Sequence, residues 1–293
     1  MRTYLDCFPC VLRQTLEAAR EATDDEAKQR ELLNRVMELL STLHLEVSPP
    51  EIGQKVHRLI RQETGVRDPY AEKKRHYNER AVAYLPRLRK LVEQSDDPLR
   101  TAVRLAIAGN VIDFGAQLDG FDLDGEIERA LETPFGIDHY ERFRRDLQAA
   151  DEVVYLGDNA GEIAFDRLLL EVLQRDFRAR VTFVVRGEPV LNDATIEDAK
   201  QVGLTELVEV VDNGSDAPAT VLSEVKPEVR EKIEQADLVI AKGQGNYETL
   251  STVPLNIYFL FKVKCPVIGR DAGVEVGRYV LASARILQGQ KRK

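Results

Sequence analysis

A chain of 293 residues with 43% hydrophobic and 31% charged side chains can bury a real core and suits one large or two modest globular domains, not a disordered segment. Its 41 Lys and Arg against 50 Asp and Glu give a formal net charge of -9, which argues against a broad nucleic-acid-binding face but allows a local basic pocket for a small anion. No apolar run nears the roughly 18 residues that span a bilayer, the first residues lack an apolar signal core, and three cysteines make no disulfide framework. The expectation is therefore a cytoplasmic protein with no nucleic-acid or membrane partner.

From the start to about residue 147 the apolar spacing is helical. Pro9 and Cys10 open a face continued by Leu12, Leu16 and Ala19. Thr23-Asp24-Asp25-Glu26 reads as a capping box before Leu32, Leu33, Val36, Leu39, Leu40 and Leu43. Ser48-Pro49-Pro50-Glu51 reads as another, with Ile52, Val56 and Ile60 on the buried side. Further helices are expected over Ala81 to Val92 and Leu99 to Ala108, the latter running into the Gly-flanked stretch Gly109-Asn110-Val111-Ile112-Asp113-Phe114-Gly115.

After residue 150 short apolar runs appear at Val153–Leu156, Val181–Val185, Leu207–Val211, Leu238–Ala241 and Val267–Ile268, most of them separated by helical patterns such as Ile163 to Leu173. Doubly buried strands alternating with helices imply a parallel, doubly wound, Rossmann-like sheet. The expected organisation is an all-helical domain over 1–147 that contributes to the substrate pocket, and an α/β metal- and phosphate-binding domain over 148–293.

The turns after these runs carry the chemistry. They are Gly157-Asp158-Asn159-Ala160-Gly161-Glu162, Arg186-Gly187 followed by Asn192-Asp193-Ala194-Thr195, Asp212-Asn213-Gly214-Ser215-Asp216, and Lys242-Gly243-Gln244-Gly245-Asn246. In an open α/β sheet such turns share the carboxyl edge, where ligands bind. Asp158, Asn159 and Asp193 offer two carboxylates and an amide oxygen, a set suited to Mg²⁺ or Mn²⁺ more than to Zn²⁺. Lys242 would balance the charge of a phosphate, and the glycines beside it, Gly243 among them, would let backbone N–H groups approach the anion. Each motif alone has an ordinary reading as a turn or helix cap. Their common position on one predicted edge favours a site.

These motifs resemble those of the DUF89 family, the damage-control phosphatases with an ARMT1-like metal-binding domain. The resemblance also covers Asp6-Cys7-Phe8-Pro9-Cys10, Asp68-Pro69-Tyr70, Gly109-Asn110 with Asp113, and Lys264-Cys265-Pro266, and so spans nearly the whole chain. It implies hydrolysis of phosphate monoesters of small metabolites, such as sugar phosphates or damaged phosphorylated metabolites, with a divalent ion (Mn²⁺, Co²⁺, Ni²⁺ or Mg²⁺). By position, Asp158, Asn159 and Asp193 resemble the metal ligands, and Lys242 and Asn246 resemble phosphate or substrate contacts. Asn110 and Asp113 resemble pocket residues from the helical half. Glu162 also lies in the signature, as a ligand contact or a helix cap. Asp158 and Lys242 are the expected catalytic pair.

Two other functions stay open from the residues. An AdoMet-dependent methyltransferase also places a glycine-bearing acidic turn after its first strand, although the Lys242 loop and the second acidic turn are features it would not need. A metal and sugar-phosphate-binding protein without turnover would carry the same charges. A haloacid-dehalogenase-type nucleophile turn does not fit, because Asp158 is followed by Asn159-Ala160 instead of a second Asp two positions on. Cys7, Cys10 and Cys265 are either packing residues or part of a second, structural metal site, and the four histidines show no recognisable spacing.

Overall fold

The computed structural model describes residues 1–109 and 123–291. The first helix, α1 (Cys7–Ala22), buries Val11, Thr15, Ala18 and Ala19. Helix α2 (Glu26–Ser41) is capped by Asp25 and not by Thr23: Ala27 N and Lys28 N donate to Asp25 Oδ1 at 2.9 and 3.4 Å, while Thr23 Oγ1 accepts from Asp25 N. Helix α3 (Pro49–Thr64) starts as its sequence dictates, with Ser48 N donating to Glu51 Oε2 at 2.8 Å and both prolines in the first turn. These three helices share a core that includes Ala18, Leu32, Val36, Ile52 and Ile60. Each of the larger of these side chains contributes about 1.5–3 kcal/mol by leaving water.

Helices α4 (Ala71–Glu93) and α5 (Pro98–Ala108) follow, then α6 (Leu123–Glu132). The next element is a strand, β1 (Phe135–Asp138), before α7 (Tyr140–Ala149). The first 147 residues are therefore not wholly helical. Only four residues long, β1 is too short to show a strand period, and it is recognisable only from its pairing.

The second half alternates as expected: β2 (Glu152–Leu156), α8 (Glu162–Asp176), β3 (Arg180–Val185), α9 (Ile196–Gln201), β4 (Glu209–Asp212), α10 (Pro227–Gln235), β5 (Leu238–Lys242), α11 (Gly243–Leu250), β6 (Ile257–Lys262), α12 (Pro266–Ala272), β7 (Tyr279–Ser283) and α13 (Ala284–Lys291). The strand order is β1-β7-β6-β5-β2-β3-β4, parallel except where β7 runs antiparallel to β6. The sequence expectation erred at Val267-Ile268, which lies in α12: Cys265 is the N-cap and Pro266 takes the first helical position. The run Leu207–Val211 becomes strand only from Glu209, and β6 and β7 were not among the expected strands.

Strand residues alternate between two cores, which is why these strands are apolar on both faces. Val153 and Tyr155 of β2 pack into one cluster with α4, α5, α7 and α8, whereas Val154 and Leu156 pack into the other with α10, α11 and α13. Helices α4 and α5 of the first half thus share a continuous core with the sheet. The chain winds outward from β2 to β3 and β4 on one side and returns through β5 and β6 on the other. That reversal leaves a crevice above the carboxyl ends of β2 and β5.

Candidate active site

The crevice is framed by backbone bonds between turns. Ala194 N donates to Asp158 O and Ala160 N to Asn192 O, both at 2.8 Å, and Arg186 N donates to Ala194 O at 2.9 Å. An isolated antiparallel bridge pairs Asn159 with Asp193. The turns after β2 and β3 are thereby stitched into one surface, with Asp158, Asn159 and Asp193 on it. Two non-glycine residues adopt left-handed φ next to this surface, Leu191 at 49° and Ala219 at 68°. Ala219 N donates to Asp193 Oδ2 at 3.2 Å. Such backbone strain is tolerated where the surrounding structure holds a side chain in place, and here that side chain is Asp193.

Asp193 is 3% exposed, and its Oδ2 also accepts from Arg186 Nε at 2.6 Å. Arg186 Nη2 donates to Gly157 O at 3.3 Å and lies 3.9 Å from Asp158 Oδ1. A single buried guanidinium therefore lies against both aspartates. Burial raises the pKa of Asp158 well above the usual carboxylate range; the charges of Glu162 and Asp193 add to this, and Arg186 and the exposed Lys264 oppose it. Burial raises Asp193 as well, against the charge and hydrogen bond of Arg186.

Asn159 and Asp158 are joined directly: Asn159 Nδ2 donates to Asp158 Oδ2 at 3.0 Å and to Glu162 Oε2 at 3.3 Å. Glu162, the first residue of α8, is 1% exposed, so its carboxylate also meets the positive end of that helix. Its Oε1 accepts from Lys242 Nζ at 2.6 Å. Gly243 has φ +78°, and a Cβ there would lie 1.9 Å from Asp158 Oδ2. The Asp158 carboxylate thus rests on a backbone position open only to glycine.

Lys242 is where the structure departs most from expectation. Its Nζ donates to Ala106 O at 2.7 Å, Glu162 Oε1 at 2.6 Å and Asp166 Oδ1 at 2.6 Å, and the side chain is 0% exposed. All three donors of the ammonium are spent on protein oxygens. Burial opposes its charge, but Asp166 and Glu162 outweigh that and raise its pKa. Lys242 is a structural cation behind the site and not an open contact for an anion. Asn246 is corrected in the same way: its Oδ1 accepts from Thr220 N at 2.8 Å and its Nδ2 donates to Lys242 O at 2.7 Å, so the amide pins turns together. Asn110 and Asp113 lie outside the described residues.

Three members of the network were not singled out from the sequence. Asp166 sits four residues after Glu162, a spacing that puts both carboxylates on one face of α8. Arg186 directly follows β3 and so had a legible position. Asn78, whose Oδ1 accepts from Gly161 N at 2.6 Å, carried no signal, since it approaches from α4.

The donor set suits a divalent cation. The buried carboxylates of Asp193, Glu162 and Asp166 and the partly buried one of Asp158 stand against the buried cations Arg186 and Lys242, and the pKa of Asp158 is raised by burial first and then by the charges of Glu162 and Asp193. Hard oxygen ligands are what Mg²⁺ and Mn²⁺ take. Among the described residues no three His, Cys, Asp or Glu side chains group closely enough to hold an ion by themselves. Two aspartates would therefore need the Asn159 amide oxygen and water or substrate to complete the shell. Cys7, Cys10 and Cys265 are free, half-buried thiols and form no such group either. No helix among the described residues is long and apolar enough to cross a membrane.

The family model for the damage-control phosphatase ARMT1-like domain matches residues 3–280. A damage-control phosphatase from Archaeoglobus fulgidus is 38% identical, with 94% of this chain and 96% of that protein covered. A second, from Pyrococcus horikoshii, is 33% identical over 96% of this chain and 97% of its own. The crystal structure of a DUF89 family protein from Pyrococcus horikoshii superposes with a TM-score of 0.89 at 31% identity, covering 97% of this chain and 99% of that one.

Proposed function

We propose that this chain, which belongs to the damage-control phosphatase ARMT1-like family, is a phosphatase that hydrolyses phosphate monoesters of small metabolites in the crevice above β2 and β5. The observation that carries this reading is the pair Asp158 and Asp193, held by one buried guanidinium at the point where the sheet reverses its winding. The substrates we infer are sugar phosphates or damaged phosphorylated metabolites, taken from the cytoplasm.

Asp158, Asp193 and the amide of Asn159 would hold a divalent ion, Mn²⁺, Co²⁺, Ni²⁺ or Mg²⁺. When bound, such an ion polarises a phosphoryl oxygen and lowers the pKa of water. The chain's own residues do the rest. Asp158, resting on Gly243, orients the attacking water. The water oxygen forms a bond to phosphorus, the ester P–O bond breaks, one proton of the water passes to the departing ester oxygen, and an alcohol and orthophosphate leave. Glu162 accepts from Asn159 on one oxygen and from Lys242 on the other, so it keeps the amide beside Asp158. Lys242 contributes a fixed positive charge from behind.

The test is a panel of phosphorylated metabolites assayed for orthophosphate release with each of the four ions. The expected result is release that depends on added ion and is abolished in Asp158→Ala, with the thermal transition of that variant retained. Full activity in Asp158→Ala would remove the centre proposed. Calorimetric binding of AdoMet without any phosphate release would point to the methyltransferase alternative.

A further inference from the structure

We propose that Arg186 is a substrate-contacting residue of this site, donating from Nη1 to a nonbridging oxygen of the phosphoryl group while its opposite edge fixes Asp193. The proposal rests on the phosphatase reading above and names the cation that the reading otherwise lacks, because Lys242 has no donor left for an anion.

In a guanidinium, Nε and Nη2 share one edge and Nη1 occupies the remaining corner. The shared edge is engaged here, by Asp193 Oδ2 at 2.6 Å and Gly157 O at 3.3 Å, with Asp158 Oδ1 3.9 Å away. Nη1 is buried and has no hydrogen-bond partner among the described residues, although the whole side chain is only 1% exposed. A desolvated donor of a charged group without an acceptor opposes folding, and native proteins hold few of them. A partner that arrives with a ligand accounts for it. Arg186 also lines a cleft of about 700 Å³ whose walls include Lys74, Thr195 and Asp198. Arg186 therefore belongs both to the wall of a cleft large enough for a small metabolite and to the immediate surroundings of Asp193 and Asp158, which are not themselves among that cleft's walls.

The chemistry matches. A guanidinium binds phosphate oxygens through directed, charge-assisted bonds and keeps its charge when buried, which an ammonium does less readily. The engaged edge has a second consequence. Asp193 Oδ2 already accepts from Arg186 Nε and Ala219 N, which leaves Oδ1 as the oxygen for a cation. One residue thereby orients an aspartate and meets the anion that approaches it.

The experiment compares wild type with Arg186→Lys, which keeps a cation beside Asp193 but has no Nη1. Calorimetry would follow Mg²⁺ alone, and then orthophosphate in saturating Mg²⁺. The expected result is Mg²⁺ affinity within about threefold of wild type, orthophosphate affinity weaker by about tenfold or more, and a matching loss in kcat/KM. Unchanged orthophosphate affinity in a folded Arg186→Lys variant overturns the proposal and leaves the phosphatase reading intact. A wild type that binds no orthophosphate and hydrolyses no ester fails the reading itself, and the proposal falls with it. Should Arg186→Lys lose its thermal transition, a crystal structure of wild type with Mg²⁺ and orthophosphate decides. Nη1 within ~3.2 Å of a phosphate oxygen supports the assignment; a water molecule in that place, with the phosphate elsewhere, overturns it.

Discussion

The Nζ of Lys242 lies 2.6 Å from Oδ1 of Asp166, and neither side chain has any exposed surface. Asp166 in turn accepts from the buried hydroxyl of Tyr155 at 2.8 Å. This pair binds the end of β5 to α8, and through Ala106 O to α5, directly behind the carboxylates of the site. Removing one member of such a pair leaves the other charge desolvated and alone.

Lys242→Met should therefore destabilise the protein by about 3–5 kcal/mol. The double variant Lys242→Met with Asp166→Asn should recover part of that loss, since it removes one of the two carboxylates, Asp166 and Glu162, that the loss of Lys242 leaves stranded. Urea denaturation of the three proteins checks this. A double variant no more stable than Lys242→Met alone would count against a charge-pair role.

Gly243→Ala places a methyl group where Asp158 Oδ2 lies, at a backbone φ of +78°. The left-handed backbone alone costs roughly 1–2 kcal/mol. The displaced carboxylate should lower kcat/KM by about a hundredfold, by analogy with other small displacements of positioned groups. Steady-state kinetics beside a thermal melt separates the two effects: a melt lowered with kcat/KM unchanged would show that Asp158 does not depend on this contact.

His57 of α3 is 5% exposed, and its pKa is lowered to about 4, first by burial and then by the charge of Arg61, with Asp216 opposing. An unfolded histidine titrates near 6.5. Below that pH the unfolded chain takes up a proton that folded His57 refuses, so its contribution is intact above pH 6.5 and lost as pH falls towards 4. The loss is roughly 3 kcal/mol at the acid end. Asp166 and Glu248, whose pKa values burial raises to about 7, shift stability in the opposite sense over part of this range. The measurement is accordingly a difference: the stability of wild type minus that of His57→Gln should decline between pH 6.5 and 4.5. A difference independent of pH would contradict the assignment.

The parts of the fold legible in the sequence are those set by local rules. Ser48-Pro49-Pro50-Glu51 begins α3 as its capping chemistry requires, and the runs at Val153, Val181 and Leu238 are strands because their residues are apolar on both faces. Val267-Ile268 misled because two apolar residues carry no period, and Pro266 settles the matter in favour of a helix. In the site, the placement of Asp158, Asn159 and Asp193 followed from turns on one edge of a parallel sheet. The roles of Lys242 and Asn246 did not, because a motif states which residues are near and not which way their donors point. Lys242 faces Glu162 and Asp166 behind the crevice, and an unpartnered donor belongs to Arg186, which the sequence placed in a turn of this edge without giving it a role.

The central claim is that Asp158 and Asp193 together hold the cation on which hydrolysis depends, and titration calorimetry of Mn²⁺ into the metal-stripped protein tests it most directly. The account predicts one site in wild type, and affinity reduced by about a hundredfold or more in both Asp158→Asn and Asp193→Asn, with each variant still folded. Wild-type affinity for Mn²⁺ in either folded variant would contradict it.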